Sequence, residues 1–487
     1  MNTCSRQSRA SRREFLQGLA GAIGCGSAAA IIPQFGLVGS ALAAATGTVT
    51  GYKALVCVYL DGGNDAFNML VPYDQARYDT YAVARGGVGT GLALDRTLLA
   101  TTQITDSATG AEYALHPGIP GGTFTNDDRG MLDLRTLYQQ NRVAFIPNIG
   151  TLTRPITKAE YSAKPGLRPP QLFSHQDQTY QWHFGRAGNS SVGWGGTVGD
   201  QLRGQNSNQT LSPCISIAGD NRFQIGLQTF PYQMGTGGLT ALQTGGGTPR
   251  ANAIAQILAG SQPSPFATEY QAVMNRAQSV FNVLDPALND PGGLGNITTG
   301  FPLNNSLGDQ LRMVARMIKV SRDTDFGIQH QRQIYFVRLG GFDMHDSLLA
   351  QGANGHAGLL QRVSEALLAF WNALNEIGAQ NEVTTFTMSE FARTLSSNGN
   401  GSDHAWGSVA FAMGGAVNGG RLYGAYPDLV LDGATSLARG QQIPQIGMEQ
   451  YAATLARWLG VTDTNALATI FPNLDEFATA DLGFMVP

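Results

Sequence analysis

Carboxylate and imidazole side chains are concentrated in three short stretches in the second half of this 487-residue chain. Residues 340–345 read Gly-Gly-Phe-Asp-Met-His, residues 389–394 read Ser-Glu-Phe-Ala-Arg-Thr, and residues 402–404 read Ser-Asp-His. Carboxylates and imidazoles without cysteine are typical of hydrolytic metal sites, whereas structural zinc sites usually contain cysteine. The three stretches therefore predict a catalytic metal centre.

The first stretch places two metal-binding side chains, Asp343 and His345, just after an apolar run. Residues i and i+2 of an extended chain share a face, so both side chains can contact one ion. The alternative is a turn aspartate beside a surface histidine.

The other two stretches add carboxylates, a guanidinium and an imidazole. Glu390 ends an apolar run and Arg393 follows one helical turn later, so the pair can bind a metal and an oxyanion respectively. A structural salt bridge is the alternative. Asp403 and His404 lie in a loop rich in Gly, Asn and Ser. Bulky side chains are seldom needed for packing in such a loop, so their presence indicates a functional role. Ordinary loop packing with Trp406 is the alternative there.

Two segments earlier in the chain can complete the site. Asp61 and Asp65 bracket a Gly-Gly turn after the first apolar run, and each can either bind a metal or cap the turn. Ser174 precedes His175 and can supply a nucleophilic hydroxyl, provided that a base or a metal activates it.

The elements that position these residues alternate between apolar runs and amphipathic segments. The runs predict strands over residues 54–60, 143–149, 333–339, 383–388 and 409–413. The helical periodicity predicts helices over residues 131–140, 307–321, 356–377 and 448–459, and one near 269–284. This alternation predicts an α/β fold, a mostly parallel sheet with helices on both faces, and a site at the carboxyl ends of its strands.

The N-terminal segment has the features of an export signal. Residues 11–17 (Ser-Arg-Arg-Glu-Phe-Leu-Gln) are close to the twin-arginine pattern, and the Ala-Leu-Ala of residues 41–43 is a suitable cleavage site. We expect residues 1–43 to be a signal peptide that engages the twin-arginine translocase, so that the mature protein is periplasmic or secreted. Lipidation at Cys25 is a weaker alternative, and the segment is too weakly apolar for a permanent membrane anchor.

The mature chain, residues 44–487, is expected to form one domain. The alternation of apolar runs and amphipathic segments weakens over about 204–300, and we interpret this segment as an irregular insertion or cap. The whole chain carries a net charge of −4 and no basic stripe, which argues against nucleic acid as a partner. Cys57 and Cys214 remain after cleavage, either as buried apolar residues or as a disulfide.

Read together, these motifs resemble the DUF1501 family. The resemblance covers most of the mature chain in order, and it rests on a larger set of motifs: the Arg-Arg leader, Leu-x-Gly-Gly-x-Asp at residues 60–65, Val-Pro-Tyr at 71–73, Leu-His-Pro at 115–117, Ser-His at 174–175, the three stretches above, and the Gly pairs at 414–415 and 419–420. That family is related to the alkaline phosphatase and sulfatase superfamily, whose members bind one or two divalent ions at the strand ends.

The resemblance implies a role for each site residue. Asp61 or Asp65 would be the acid after the first strand, and Ser174 would stand at the nucleophile position. Asp343 and His345 would match an Asp-x-x-x-His metal pair, here with shorter spacing. The remaining correspondences fall in the last two stretches, where Glu390 would replace the Asp of an Asp-His pair with no His after it, and His404, with Asp403, would match the last metal ligand.

The sequence thus predicts an exported metal-dependent hydrolase of phosphate or sulfate esters. Zinc or manganese is favoured, and calcium or magnesium is the alternative. The expected partner is a small anionic ester or an envelope polymer. The alternative function is a non-catalytic envelope binding or assembly protein with a degenerate site. A dinucleotide-dependent redox enzyme is disfavoured, because no Gly-x-Gly-x-x-Gly follows the first strand.

Overall fold

A computed structural model describes residues 51–118, 129–242, 247–262, 264–290, 292–350 and 352–486. The predicted signal peptide, residues 1–43, lies outside the described residues. Within the described ranges, we find no helix whose length and apolar character would let it cross a membrane.

Strands and helices alternate along the chain. The strands are β1 (Lys53–Asp61), β2 (Leu70–Pro72), β3 (Gln103–Thr105), β4 (Glu112–Leu115), β5 (Val143–Gly150), β6 (Cys214–Ser216), β7 (Tyr232–Gln233), β8 (Arg332–Gly340), β9 (Val383–Met388), β10 (Arg393–Ser397), β11 (Ser402–His404), β12 (Ser408–Gly414), β13 (Arg421–Leu422) and β14 (Ile446–Gly447). The helices are α1 (Ala66–Met69), α2 (Gln75–Ala84), α3 (Arg96–Leu99), α4 (Leu132–Gln139), α5 (Lys158–Ala163), α6 (His175–Phe184), α7 (Trp194–Leu202), α8 (Gly247–Ala259), α9 (Pro265–Leu288), α10 (Ser306–Arg322), α11 (His356–Glu376), α12 (Met448–Leu459) and α13 (Thr464–Ile470).

Nine of these strands form the central sheet, in the order β13-β5-β12-β9-β1-β8-β6-β7, with β14 also paired to β5. Only β12 runs antiparallel to its neighbours in this sheet, and the other pairings are parallel. The predicted α/β fold with a mostly parallel sheet is therefore confirmed. The predicted strand over residues 383–388 and the predicted helix over 448–459 coincide with β9 and α12.

Strand β1 lies at the centre of the sheet and packs on both faces. Its side chains alternate, so that Val56 and Val58 join one apolar core while Leu55 and Cys57 join the other. Helices α10 and α11 cover the first face, and α7 and α12 cover the second. A strand buried on both faces must be apolar throughout, which explains the uninterrupted run of residues 54–60.

One feature differs from the sequence-based interpretation, and one alternative that the sequence left open is decided. The segment of about 204–300 is not wholly a cap, because it extends the central sheet: β6 pairs with β8, and β7 pairs with β6. Cys57 and Cys214 are both buried and free. Strand β8 separates their strands, so the backbones lie about 9.5 Å apart, whereas disulfide-linked Cα atoms are at most about 7 Å apart. The disulfide alternative is therefore wrong for this fold.

Candidate functional site

The candidate site lies at the carboxyl ends of β1, β8 and β9, as the fold class predicts. The turn after β1 sets its floor. Gly62 has a φ of +120°, and a Cβ there would lie 2.3 Å from the backbone nitrogen of Asp343. A side chain at Gly63 would overlap the ring of Phe391. Only glycine permits this backbone conformation and this close approach, so the Gly-Gly turn brings the loops after β8 and β9 together.

Four side chains converge above this turn: His175, Asp343, His345 and His404. One ligand atom from each lies within 4.8 Å of the others. The Nε2 atoms of His175, His345 and His404 are 3.4, 3.4 and 3.7 Å from Oδ1 of Asp343. Asp343 and His345 are half exposed, so solvent and small molecules can reach the cluster.

Each imidazole of the cluster is oriented through its other ring nitrogen. Nδ1 of His404 lies 2.6 Å from the carbonyl oxygen of Phe173, which can only accept a hydrogen bond. Nδ1 of His175 lies 2.9 Å from Oε1 of Glu390, and Nδ1 of His345 lies 3.1 Å from Oδ1 of Asp403. Protons on the three Nδ1 atoms leave the Nε2 lone pairs directed into the cluster. This is the arrangement in which histidine binds metals.

The donor set fits a divalent cation. Nε2 of His345 and Nε2 of His404 lie only 2.8 Å apart. Two lone pairs at this distance repel each other unless a proton or a cation lies between them. Three imidazoles and one carboxylate suit zinc or manganese better than calcium or magnesium, which prefer oxygen ligands.

Glu390 lies behind the cluster. Its side chain is buried, and it accepts hydrogen bonds from the backbone nitrogen of Gly62 at 2.8 Å and from the Tyr59 hydroxyl at 3.2 Å. With His175 as a further partner, the carboxylate orients an imidazole instead of joining the converging atoms. The expectation that Glu390 binds metal directly is corrected to this positioning role.

Arg393 also holds the site from within the protein. Its guanidinium has no exposed surface, and it donates to the carbonyl oxygens of Gly62, Gly63 and Ser402 and to Oδ1 of Asp343. A buried guanidinium with all of these partners cannot reach a substrate. The expected oxyanion clamp is therefore wrong for Arg393, which instead ties the Gly-Gly turn to Asp343.

Ionisation within the cluster follows from these contacts. Partial burial opposes ionisation of Asp343, but the Arg393 hydrogen bond and charge outweigh it and lower the pKa of the carboxyl. The hydrogen bond with Glu390 raises the pKa of His175. Burial lowers the pKa of His404, which favours the neutral imidazole that a metal requires.

Asp403 supports His345 at the rim of the site. Partial burial opposes its ionisation, but hydrogen bonds with Asn398, His345 and Arg439 lower its pKa to about 2. The carboxylate is therefore charged at neutral pH and can accept a hydrogen bond from Nδ1 of His345. Its oxygens are used by these partners, so the structure places Asp403 around the cluster and not among its converging atoms.

Ser174 is the N-cap of α6. Its hydroxyl donates to Oδ2 of Asp177 at 2.6 Å and accepts from the Asp177 backbone nitrogen. A hydroxyl engaged with a carboxylate of its own turn is not activated by an imidazole, so the geometry does not support the expected nucleophile. The neighbouring His175, which the sequence reasoning did not assign to the metal, joins the cluster instead.

The two aspartates after β1 differ in their surroundings. Asp65 is buried in an ion pair with Arg85 and is not among the converging side chains, so its expected metal role is corrected. Asp61 is partly exposed and lies 3.5 Å from Arg338. Burial and the nearby Glu390 raise the pKa of Asp61. Like Asp65, Asp61 is not among the converging side chains, but its pKa responds to the charges of His175 and Asp343.

A comparison with protein families agrees with the DUF1501 resemblance over part of the chain. The family model described as "Protein of unknown function (DUF1501)" matches residues 327–446. No curated protein matches the chain. A solved structure described as "Crystal structure of Ps i-CgsB in complex with k-i-k-neocarrahexaose" is similar with a TM-score of 0.33 and 10% sequence identity, over 88% of this chain and 77% of that chain. The residues matched by the DUF1501 family model include Asp343, His345 and His404.

Proposed function

We propose that this protein is an exported metal-dependent hydrolase of phosphate or sulfate esters. The observation that carries the proposal is the convergence of three Nε2 atoms on Oδ1 of Asp343, each on an imidazole oriented by an oxygen acceptor. His175, Asp343, His345 and His404 would hold the ion, with zinc or manganese favoured. A bound divalent ion supplies Lewis acidity at an ester oxygen and lowers the pKa of water.

Two exposed guanidinium groups are suited to binding the anionic group of such an ester. Arg338 is half exposed beside Asp61, and Arg439 is partly exposed beside Asp403. Guanidinium binds phosphate and sulfate oxygens with two parallel hydrogen bonds. These rim residues take the anion-binding role that the buried Arg393 cannot perform.

Asp61 is the carboxylate suited to accept a proton from an attacking water. It is partly exposed, so water can reach it, and its raised pKa makes it a better proton acceptor than an ordinary aspartate. Its pKa responds to the charges of His175 and Asp343, which puts it within electrostatic reach of the cluster. A water nucleophile is consistent with the engagement of Ser174 by Asp177.

Metal content tests the proposal first. We expect the folded, exported protein to contain at least about one metal ion per chain. The variants His175→Ala, His345→Ala and His404→Ala should each lose this metal. Asp428→Ala, which removes an exposed carboxylate elsewhere, should retain the metal. Hydrolysis of aryl phosphates or aryl sulfates should then stop on chelation and return with the metal. Absence of metal from the wild type, with all three histidine variants folded normally, would rule the proposal out.

A non-catalytic envelope binding protein is the second candidate, and two observations favour it. The Ser174 hydroxyl and the Glu390 carboxylate are both occupied by structural partners, so neither is free for chemistry. This candidate predicts stoichiometric metal, no turnover of either ester class, and metal-dependent retention on an anionic envelope polymer. Turnover that is lost in His345→Ala would exclude it.

A further inference from the structure

Helix α9 contains none of the site residues, and it carries an unbroken apolar stripe. Its members recur at alternating spacings of four and three residues: Phe266, Tyr270, Val273, Ala277, Val280, Leu284 and Ala287. This spacing is the seam of a coiled coil, which places all seven side chains on one face of the helix. A seam of this length normally has a partner along its whole course.

Only three of the seven side chains in this stripe are covered. Val280, Leu284 and Ala287 are buried against the body of the protein, with at most 5% of their surface exposed. Phe266 is 89% exposed and Tyr270 is 67% exposed. The N-terminal part of the stripe is therefore not packed against the rest of the protein. Phe266 and Tyr270 form a ridge of aromatic side chains that is exposed to solvent.

A groove lies directly beside this ridge. It has a volume of about 590 Å³, and its walls come from β7 and the loop after it, from α8 and from α9. The apolar side chains that line it include Met234, Leu239, Leu242, Ile254, Met274 and Phe281. Ala277 belongs both to the stripe and to the wall of the groove, so ridge and groove are adjacent on one surface.

The sequence around this surface has few charges. Residues 224–268 include a single charged residue, Arg250, and the exposed part of α9 adds only Glu269 and Arg276, in a chain whose net charge is −4. Acidic surfaces repel each other, so two copies of this chain can approach most closely where acidic residues are few. Contiguous apolar surface of this kind marks an interaction site.

We propose that the ridge and groove form a two-fold interface between two copies of this chain. The ridge of each copy, Phe266 and Tyr270, inserts into the groove of the other, beside Ala277. A two-fold interface uses the same patch on both partners, so a ridge and a groove side by side make that patch self-complementary. Exposed aromatic residues that fill an apolar pocket supply most of the binding energy of such interfaces.

A lipid surface fits the same patch less well. Helices that lie in membrane interfaces carry several Lys or Arg residues on their polar face. The polar positions of α8 and α9 instead hold mainly Gln, Asn, Ser and Thr. The acidic chain would also be repelled by anionic lipids.

Analytical ultracentrifugation of the folded full-length protein over a range of concentrations tests the interface. We expect the wild type to sediment with twice the mass of one chain. The ridge variant Phe266→Asp and the groove variant Ala277→Arg should each raise the dimer dissociation constant at least 100-fold. Leu303→Asp is the matched control, because Leu303 is 87% exposed on another part of the surface. It should leave the dimer unchanged, and circular dichroism should show all variants folded.

Mixing the two variants gives a sharper result. Each variant alone has a defect in both of its ridge–groove contacts, whereas a mixed pair retains one intact contact. We therefore expect a mixed dimer to form at concentrations where each variant alone is monomeric. A monomeric wild type would overturn the proposal, and so would a dimer that survives both substitutions. Flotation of a monomeric wild type with phosphatidylcholine vesicles would assign the surface to lipid instead.

Discussion

The Nε2 atoms of His345 and His404 lie 2.8 Å apart, although the Nδ1 atom of each ring already faces an oxygen acceptor. Both rings therefore direct a lone pair at the same point. Folding brings these lone pairs together only if something positive offsets their repulsion. The relationship links metal binding to the stability of the folded protein.

Removal of the metal should therefore destabilise the protein. With free ion at about 100 times its dissociation constant, binding stabilises the folded state by about 2.7 kcal/mol. We expect a chelator to lower the thermal unfolding midpoint of the wild type by several degrees. The midpoint of His404→Ala should not respond to the chelator, since that variant has lost a ligand. Equal responses in the two proteins would contradict the assignment of His404 to the metal.

Glu390 should act on metal affinity through His175. Replacing it with alanine removes the acceptor that holds Nδ1 of His175, and loss of such a partner typically weakens metal binding about 10- to 100-fold. Glu390→Gln keeps an acceptor oxygen and should weaken binding less. Competition with a coloured chelator measures both affinities. If Glu390→Ala binds metal as tightly as the exposed control Glu476→Ala, the positioning role is wrong.

The sequence predicted the sheet and three of the four converging residues, because strand ends are marked by the change from apolar runs to polar residues. Asp343 and His345 follow such a change directly, whereas His404 was marked by its position in a loop rich in Gly, Asn and Ser. His175 does not, since it begins a helix whose position over the sheet depends on tertiary packing. Two other candidates, Arg393 and Asp65, have side chains that are common in functional sites. The structure excludes them from the cluster because both are buried among partners that the sequence alone does not reveal.

Arg393 should matter for stability more than for substrate binding. Lysine keeps the charge but cannot match the geometry of a guanidinium that contacts Gly62, Gly63, Ser402 and Asp343. Leaving a buried carbonyl oxygen without its donor costs about 1–3 kcal/mol, so we expect Arg393→Lys to lower the free energy of unfolding by roughly this amount in urea titrations. Arg439→Lys, at a partly exposed ion pair, should change it by less than about 1 kcal/mol.

Gly62 should be irreplaceable for metal binding. Gly62→Ala introduces a Cβ that would lie 2.3 Å from the Asp343 backbone nitrogen, so the loop carrying this ligand must shift. Gly51→Ala is the control, because Gly51 also has a positive φ but has no atom within 4 Å of the added carbon. We expect Gly62→Ala to lose metal and Gly51→Ala to keep it. Full metal occupancy in Gly62→Ala would show that the turn does not position Asp343.

Glu449, at the start of α12, should make stability depend on pH. Burial raises its pKa from an ordinary value near 4.5 to about 7, against the opposing hydrogen bonds from Asn473. Because the folded protein retains this proton when the unfolded chain has lost it, the contribution of Glu449 is complete below about pH 4.5 and is lost as the pH rises to about 7. A shift of this size corresponds to about 3 kcal/mol at most. Between pH 5 and pH 7.5, the wild type should therefore lose part of its free energy of unfolding through Glu449. Glu449→Gln cannot titrate, so the variant should not show this loss. Identical differences between the two pH values in urea titrations of the two proteins would show that this carboxyl keeps an ordinary pKa.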